Sequence, residues 1–371
     1  MVGLGLLVLL HLYIGWRVAP ALPGLLAPSL FVLLLLVIGA LIPAAFLGRR
    51  APDRAVADRW SWAGMLSLGV FAILLVLTLG RDALLALDAL WPGPPLWPPL
   101  RDASAAAVPI LGAIGVGTGL ANARRTAGVR TVDVPIAGLP PALAGFTIVQ
   151  ISDIHVGPTV KRGYLQAIVE RVNALEADVV AVTGDLVDGR VADLADDVAP
   201  LAALRARHGA FFVTGNHEYY SGAPEWIAQL RAFGLRVLLN EHVVIGHGGA
   251  TLVLAGVTDY SAHHFDRSQR SDPERAIAGA PPAAARVLLA HQPRSAAGAQ
   301  AAGFQLQLSG HTHGGQIWPF NHFVPLQQPF TAGLHRLGSM WVYTSRGTGY
   351  WGPPLRLGAP SEITRVRLVP T

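Results

Sequence analysis

The chain has no cysteine. Disulfides, thiolate-held metals and cysteine nucleophiles are therefore excluded, although the compartment is not thereby chosen. Charge is also scarce: 14% of residues are charged against 52% hydrophobic, and mean hydropathy is +0.43. That balance is too apolar for an ordinary soluble enzyme and implies a membrane portion. Lysine is nearly missing, arginine supplying almost all the positive charge. A net charge of +5 spread over 371 residues gives little support to nucleic-acid binding. No repeat of fixed period is present, and the one biased segment is the proline-rich link WPGPPLWPP at 91–99.

The first 123 residues hold a single histidine, His11, and long stretches without charge. Leu25 to Leu47 is almost wholly apolar, and Trp60 to Gly80 and Ala103 to Ala123 are uncharged. Each is about as long as the ~20 residues a helix needs to cross the hydrocarbon core. Val2 to Trp16 is a shorter fourth run that continues toward Pro20. It lacks the basic start of a secretory signal and is followed by further spans, so it is expected to be retained. One such run could be a buried core helix, but four in series predict a membrane region over 1–123. With four spans, Arg49, Arg50, Arg54 and Arg59 share a side with Arg124, Arg125 and Arg130, opposite Arg17, Arg81 and Arg101. That bias predicts an integral protein of the inner or plasma membrane with a cytoplasmic C-terminal domain. The amphipathic stretch Ala83 to Trp91 leaves the number of spans, and so the side, open.

From about Arg124 the composition changes: twelve of the 13 histidines and most of the acidic residues lie there. Short apolar runs alternate with helix-period stretches, predicting an α/β domain over 124–371. Gly163 to Ala177 reads as one such helix, with Tyr164, Leu165, Ile168, Val169, Val172 and Leu175 on one face.

Five apolar runs each end in a ligand-type residue. FTIVQIS leads to Asp153 and His155, DVVAVTG to Asp185, AFFVTG to Asn216, His217 and Glu218, RVLLA to His291, and FQLQLSG to His311 and His313. In open α/β sheets the carboxyl ends of strands converge on one crevice. Imidazoles, carboxylates and a carboxamide without thiolate suit divalent Mn, Fe or Zn. So many donors point to two ions sharing a carboxylate. Gly184, Gly215 and Gly310 precede the ligands and permit tight strand-to-loop turns. His311 and His313 are expected to alternate sides of an extended segment, each facing a different ion. A lone DxH or HxH pair is more often structural, but the ordered set, each after a strand, is not.

This series of motifs, D153-I-H155, G184-D185, G215-N216-H217-E218, H291 and G310-H311-T312-H313, resembles the calcineurin-like metallophosphoesterases over about residues 146–370. GNHEYY, HQP, GHTHGGQIWPF and SRGTGYWGPPLRLGAPSEI look more narrowly like the YaeI/YkuE-type branch. The multi-span N-terminus is similar to transmembrane proteins with a metallophosphoesterase domain. The resemblance implies a four-layer αββα sandwich. It also implies one metal on Asp153, His155, Asp185 and His313, and a second on Asp185, Asn216, His291 and His311. His217 would be the non-ligand histidine that contacts phosphate and protonates the leaving group. Iron–zinc purple acid phosphatases carry a tyrosine shortly after the bridging aspartate. None follows Asp185, which argues against a purple Fe(III) centre. Asp188 either supports a ligand or caps a loop.

The expected activity is metal-dependent hydrolysis of a phosphodiester or pyrophosphate, lipid-linked or membrane-adjacent, by metal-bridged hydroxide with proton donation from His217. Arg346 is a candidate phosphate contact, and Tyr350 and Trp351 candidate acyl-chain contacts, against the plainer reading of a loop packing its aromatics. His263 and His264 either line the pocket or belong to a polar loop. His208, His242, His247, His322 and His335 fall outside the pattern and read as surface or loop residues. A nuclease of the same superfamily would want a basic groove, yet residues 124–371 hold 21 basic and 18 acidic side chains. A catalytically idle metal-binding membrane sensor or scaffold would be favoured by a missing ligand, and none is missing. A transporter would want charge within the apolar stretches, which carry none.

Overall fold

The computed structural model describes residues 2–48, 51–91, 93, 99–283 and 285–371. Arg49, Arg50 and most of the link at 91–99 lie outside them. The chain divides into a helical unit, Met1–Arg124 with Gly352–Leu357, and an α/β unit, Arg125–Trp351 with Gly358–Thr371.

The helical unit consists of α1 (Val2–Val18), α2 (Leu26–Gly48), α3 (Arg54–Leu90) and α4 (Leu100–Arg124). All four are long and apolar enough to cross a membrane. Asp53 starts α3 by accepting the Ala55 backbone N–H at 2.7 Å. Ala83–Leu90, read from sequence as a separate amphipathic piece, continues α3 without a break, because no Pro or Gly interrupts it there. The helices pack through Ile14, Val18, Phe31, Leu35, Ile38, Ile42, Phe71, Leu74, Ala105 and Val108. Beyond the uncharged stretch of α3, Asp82 accepts from Tyr13 at 2.6 Å and from Arg17 Nε at 2.8 Å. Arg81 caps the carbonyls of Arg17 and Arg101. Within this unit the Arg356 N–H donates to the Gly119 carbonyl at 2.9 Å.

The α/β unit contains two six-stranded mixed sheets. One has the order β1 (Gly128–Ile136), β12 (Glu362–Pro370), β2 (Thr147–Ile151), β3 (Val179–Thr183), β4 (Ala210–Val213), β5 (Arg236–Val237). The other has the order β10 (Gly333–Leu337), β11 (Met340–Thr344), β9 (Leu306–Ser309), β8 (Ala285–Leu289), β7 (Ala250–Gly256), β6 (Glu241–His247). The inner faces meet in one core of Ile148, Val179, Ala181, Phe211, Leu252, Leu254, Val287, Leu289, Leu306, Leu308 and their neighbours. Strands β2 and β3 are buried at every position, as expected where both faces are covered. The outer elements are α5 (Arg162–Asn173), α6 (Val191–Val198), α7 (Asn216–Ser221), α8 (Ala223–Ala232), α9 (Pro273–Ile277) and α10 (Ala296–Ala301). Helices α9 and α10 place Ala276, Ala296 and Ala299 against Val257, Leu288 and Val342. This is the four-layer αββα arrangement. Helix α5 buries Leu165, Ile168, Val169 and Val172 as the periodicity predicts, but ends at Asn173 rather than Ala177. There the Asn173 side chain binds the backbone of Ala203 and Arg205, and Glu176 turns to φ +47°, a left-handed conformation that no helix continues through.

Strands β2–β3–β4 and β7–β8–β9 run parallel within their sheets. The carboxyl ends of β2, β3, β4, β8 and β9 all carry the chemistry-bearing loops.

Candidate metal centre

Asp153, His155, Asp185, His291, His311 and His313 form two linked groups among the described residues. Asp153, His155 and His313 offer ligand atoms within 4.8 Å of one another, and so do Asp185, His291 and His311. Asp185 joins them: its Oδ2 is 3.1 Å from His291 Nε2 and 4.0 Å from His155 Nε2. Within the groups, His155 Nε2 and His313 Nε2 are 3.1 Å apart, and His291 Nε2 and His311 Nδ1 are 3.2 Å apart. Asn216 starts α7 directly beside Asp185, whose Oδ1 accepts the His217 N–H at 2.8 Å.

Backbone strain is concentrated here. Asp153, His155, Asp185, His311 and His313 have φ of +54°, +56°, +50°, +70° and +52°. Side chains other than glycine seldom adopt this region, and it persists only where surrounding contacts enforce it. The enforcing contacts include Asp153 N–H to the Gly184 carbonyl, His155 N–H to the Asp185 carbonyl, and His311 N–H to Asp153 Oδ1. His311 to His313 is consequently a tight turn, not the extended segment expected from the HxH spacing. Left-handed residues flanking a helical Thr312 send the two imidazoles to different groups. Glycine is obligatory at Gly215 and Gly310 by close approach. A Cβ at Gly215 would overlap Asp185, and one at Gly310 would overlap Ser152 and Asp153.

The outer ring nitrogens are tied down. His291 Nδ1 donates to the Thr183 carbonyl at 2.7 Å, and His155 Nδ1 donates to Asp188 Oδ1 at 3.0 Å. Their Nε2 atoms are therefore turned inward, the ring orientation a metal ligand requires. Two side-chain oxygens, Asp153 Oδ2 and Asn216 Oδ1, are buried without a hydrogen-bond partner among the described residues. An orphaned buried oxygen is costly, and a cation would satisfy both. The residues present thus fit a pair of divalent ions.

Burial opposes charge on His291, but Asp185 and Asp153 raise it well above the usual imidazole value, so a cation binding there would displace that proton. Burial opposes charge on Asp185, yet the surrounding His291, His217 and His155 hold it well below the usual carboxylate range. Burial raises Asp153, with the Asp185 charge adding to the rise. His311 is pushed down to about 3 by burial and the neighbouring His291, keeping a neutral ring that can ligate. His217 behaves oppositely: burial works against its charge, but Asp188, 2.6 Å from Nδ1, and Asp185 raise it to about 9. Its Nε2 lies 4.0 Å from Asp185 Oδ2, so a protonated imidazole faces the centre.

Two carboxylates have roles that the sequence leaves undecided or unassigned. Asp188 accepts from both His155 and His217, so it supports a candidate ligand and does not cap a loop. Glu218, fully buried, accepts the backbone N–H groups of Gly215, Asp185 and Leu186 at 2.6, 3.0 and 2.8 Å. It fixes the two strand ends against each other, and burial with the nearby Asp185 charge raises it to about 7. Its position three residues after Gly215, the spacing at which a glutamate reaches back to the start of a helix, was the available signal.

The remaining candidates scatter. Arg346 pairs with Glu362 at 3.0 Å, in a recess it shares with Arg125, Arg130 and Arg171. Tyr350 is 1% exposed and donates to the Thr159 carbonyl. It is a packing residue rather than an acyl-chain contact, because its ring lies inside the fold. Trp351 is half exposed and 5.6 Å from the His217 ring. His263 and His264 line a separate pocket with Arg267 and Arg270. His242 binds the Ala276 carbonyl and His335 the Ala332 carbonyl. His208 and His247 are not loose surface residues: they contact each other at 3.1 Å beside Asp178.

Residues 146–315 match the family model described as calcineurin-like phosphoesterase. The chain is 33% identical over 224 residues to an uncharacterised metallophosphoesterase of Aquifex aeolicus, covering 60% of this chain and 84% of that one. The chain belongs to the calcineurin-like metallophosphoesterases. It is also 31% identical over 235 residues to the uncharacterised metallophosphoesterase YkuE of Bacillus subtilis, covering 61% of this chain and 80% of that one. A Bos taurus protein named transmembrane protein with metallophosphoesterase domain is 45% identical over 262 residues, 67% of this chain and 59% of its own length. The metallophosphoesterase chain therefore spans well under two thirds of that relative.

Proposed function

We propose that this metallophosphoesterase is a membrane-anchored hydrolase of a phosphodiester or pyrophosphate, lipid-linked or membrane-adjacent. Residues 1–123 would serve as anchor and 124–371 as catalytic domain. The observation that carries the reading is a pair of imidazole groups joined by Asp185, with Asp153 Oδ2 and Asn216 Oδ1 buried and without a hydrogen-bond partner among the described residues. Asp153, His155, Asp185 and His313 would hold one cation, and Asp185, Asn216, His291 and His311 the other. When bound, two such cations (Mn, Zn or Fe) supply Lewis acidity that acidifies water and neutralises charge on phosphoryl oxygens.

The chain's own residues supply the rest. His217, positively charged below about pH 9, faces the centre through Nε2 and donates its proton to the departing oxygen. Asp188 orients His217 through Nδ1 and keeps its basicity high. Glu218 holds the Asp185 and Asn216 loops in register. Arg346 would contact phosphate only by leaving Glu362.

Two features support a substrate with an apolar part. Four helices are long and apolar enough to span a membrane. Beside His217 stand the exposed rings of Tyr220 and Trp351, with Phe265 packed on Tyr220 at 5.5 Å. The arginine bias supports a cytoplasmic catalytic side.

The test is a panel of soluble phosphomonoesters, soluble phosphodiesters, single-stranded DNA and micellar lipid pyrophosphates, with full-length protein in Mn, Zn or Fe. Metal-dependent cleavage fastest on the lipid-linked members is expected. Cleavage of DNA with none of the lipid-linked members overturns the substrate assignment.

A further inference from the structure

We propose that Asp178, His208 and His247 form a further metal site, for a zinc-type divalent cation, that clamps the two sheets together at the ends remote from the phosphoesterase centre. Asp178 immediately precedes β3 and His208 lies two residues before β4, so both belong to the first sheet. His247 closes β6, the edge strand of the second. Asp185, at the other end of β3, is seven residues from Asp178, which in extended chain is roughly 20 Å. No ion could be shared with the catalytic cluster.

The three side chains offer ligand atoms within 4.8 Å of one another. His208 Nε2 is 3.1 Å from His247 Nδ1, which is 3.8 Å from Asp178 Oδ1. Ligands on a tetrahedral zinc ion with bonds of about 2.0–2.1 Å stand roughly 3.3 Å apart, a value these two separations bracket. A simple imidazole–imidazole hydrogen bond explains the first distance but not the carboxylate oxygen turned toward the same point.

The surroundings are those of a built site. Thr147 donates to Asp178 Oδ2 through its N–H at 2.8 Å and its hydroxyl at 3.1 Å, leaving Oδ1 to face His247. Ligating carboxylates are commonly oriented in this way. The His208 N–H donates to the Asp178 carbonyl at 2.8 Å, fixing the two loops. Phe146 stacks on His208 at 6.0 Å and meets His247 edge-on at 5.0 Å, so neither ring turns freely. All three residues are only partly buried, so solvent can complete the coordination shell. Two imidazoles and one carboxylate suit zinc better than magnesium or calcium.

Full-length protein in detergent is stripped by chelator, reloaded with Zn²⁺, desalted and assayed for metal content beside H208Q/H247Q. The expected result is one zinc equivalent fewer in the double variant, with hydrolysis of a soluble diester unchanged. The readout is a difference, so it stands however many ions the catalytic centre holds, and its failure is separate from failure of the proposed function. In Asp185→Asn protein, Zn²⁺ should still raise Tm by about 5 °C, and adding the two histidine changes should abolish that rise. H247Q alone reads the same difference should the double variant not fold. Equal zinc content in wild type and variant overturns the proposal.

Discussion

At the carboxyl ends of β2, β3, β4, β8 and β9, five candidate site residues sit with positive φ and two oxygens are buried without partners among the described residues. At the opposite ends of the same sheets, Asp178, His208 and His247 use the same chemistry without positive φ of their own, the left-handed turns falling to the neighbouring Gly209, Gly248 and Gly249, and none of their atoms is buried and unpartnered among the described residues. The difference separates two uses of one ligand set. A centre that must leave coordination open to substrate accepts strain and unsatisfied groups, and Gly215, Gly310 and Glu218 hold it in place. A clamp between sheets can satisfy its residues without an ion. Strain and orphaned atoms, more than the presence of histidines, thus mark where reaction takes place.

The strongest way to break this contrast is Asp185→Asn. Removing the shared charge should empty both catalytic positions and reduce diester hydrolysis by ~10⁴-fold or more, read by metal content and turnover together. Full activity in that variant would contradict the bridging role. Next, His217→Ala should slow esters with poor leaving groups by roughly 10²–10⁴-fold while metal content stays at the wild-type level. Loss of metal would make His217 a ligand instead of an acid.

Which parts of this were legible beforehand follows from the range of each interaction. The candidate donors at five strand ends could be read because each strand announces itself locally by its apolar run and the donors follow it at once. The four apolar helices were legible for the same reason, since length and composition suffice. Asp188 could not be assigned because its partners, His155 and His217, are distant in sequence and converge only through the sheet. His208 and His247 passed as surface residues because they come from different sheets. The turn at His311–His313 was misread as extended, since left-handed φ at histidine is decided by contacts with Asp153 and not by propensity. Tyr350 looked like a substrate contact because Gly-Tyr-Trp-Gly reads as an exposed loop, whereas the fold buries the tyrosine and exposes its neighbour.

Asp188→Asn probes the support beneath the acid. Supporting carboxylates are worth about 10–100-fold in affinity or activity, so a loss of that order is expected. The pH profile supplies the finer check. With His217 raised to about 9, its acid form is present below that value, and activity should fall as pH rises through it. Without the Asp188 charge the folded pKa drops toward 6.5, so the alkaline limb must move to lower pH. An unmoved limb would mean that Asp188 does not set the basicity of His217. The smallest effect is expected at the aromatic rim. Trp351→Ala should raise KM for a lipid-linked substrate by roughly tenfold and leave a soluble diester unaffected. Equal effects on both would remove the rim from substrate selection.

The most direct measurement is anomalous X-ray diffraction from Mn²⁺-loaded crystals. Two peaks about 3.5–4 Å apart, both adjoining Asp185, with one reached by Asp153, His155 and His313 and the other by Asn216, His291 and His311, are the predicted result. A single peak, or density away from Asp185, would contradict the two-cation centre.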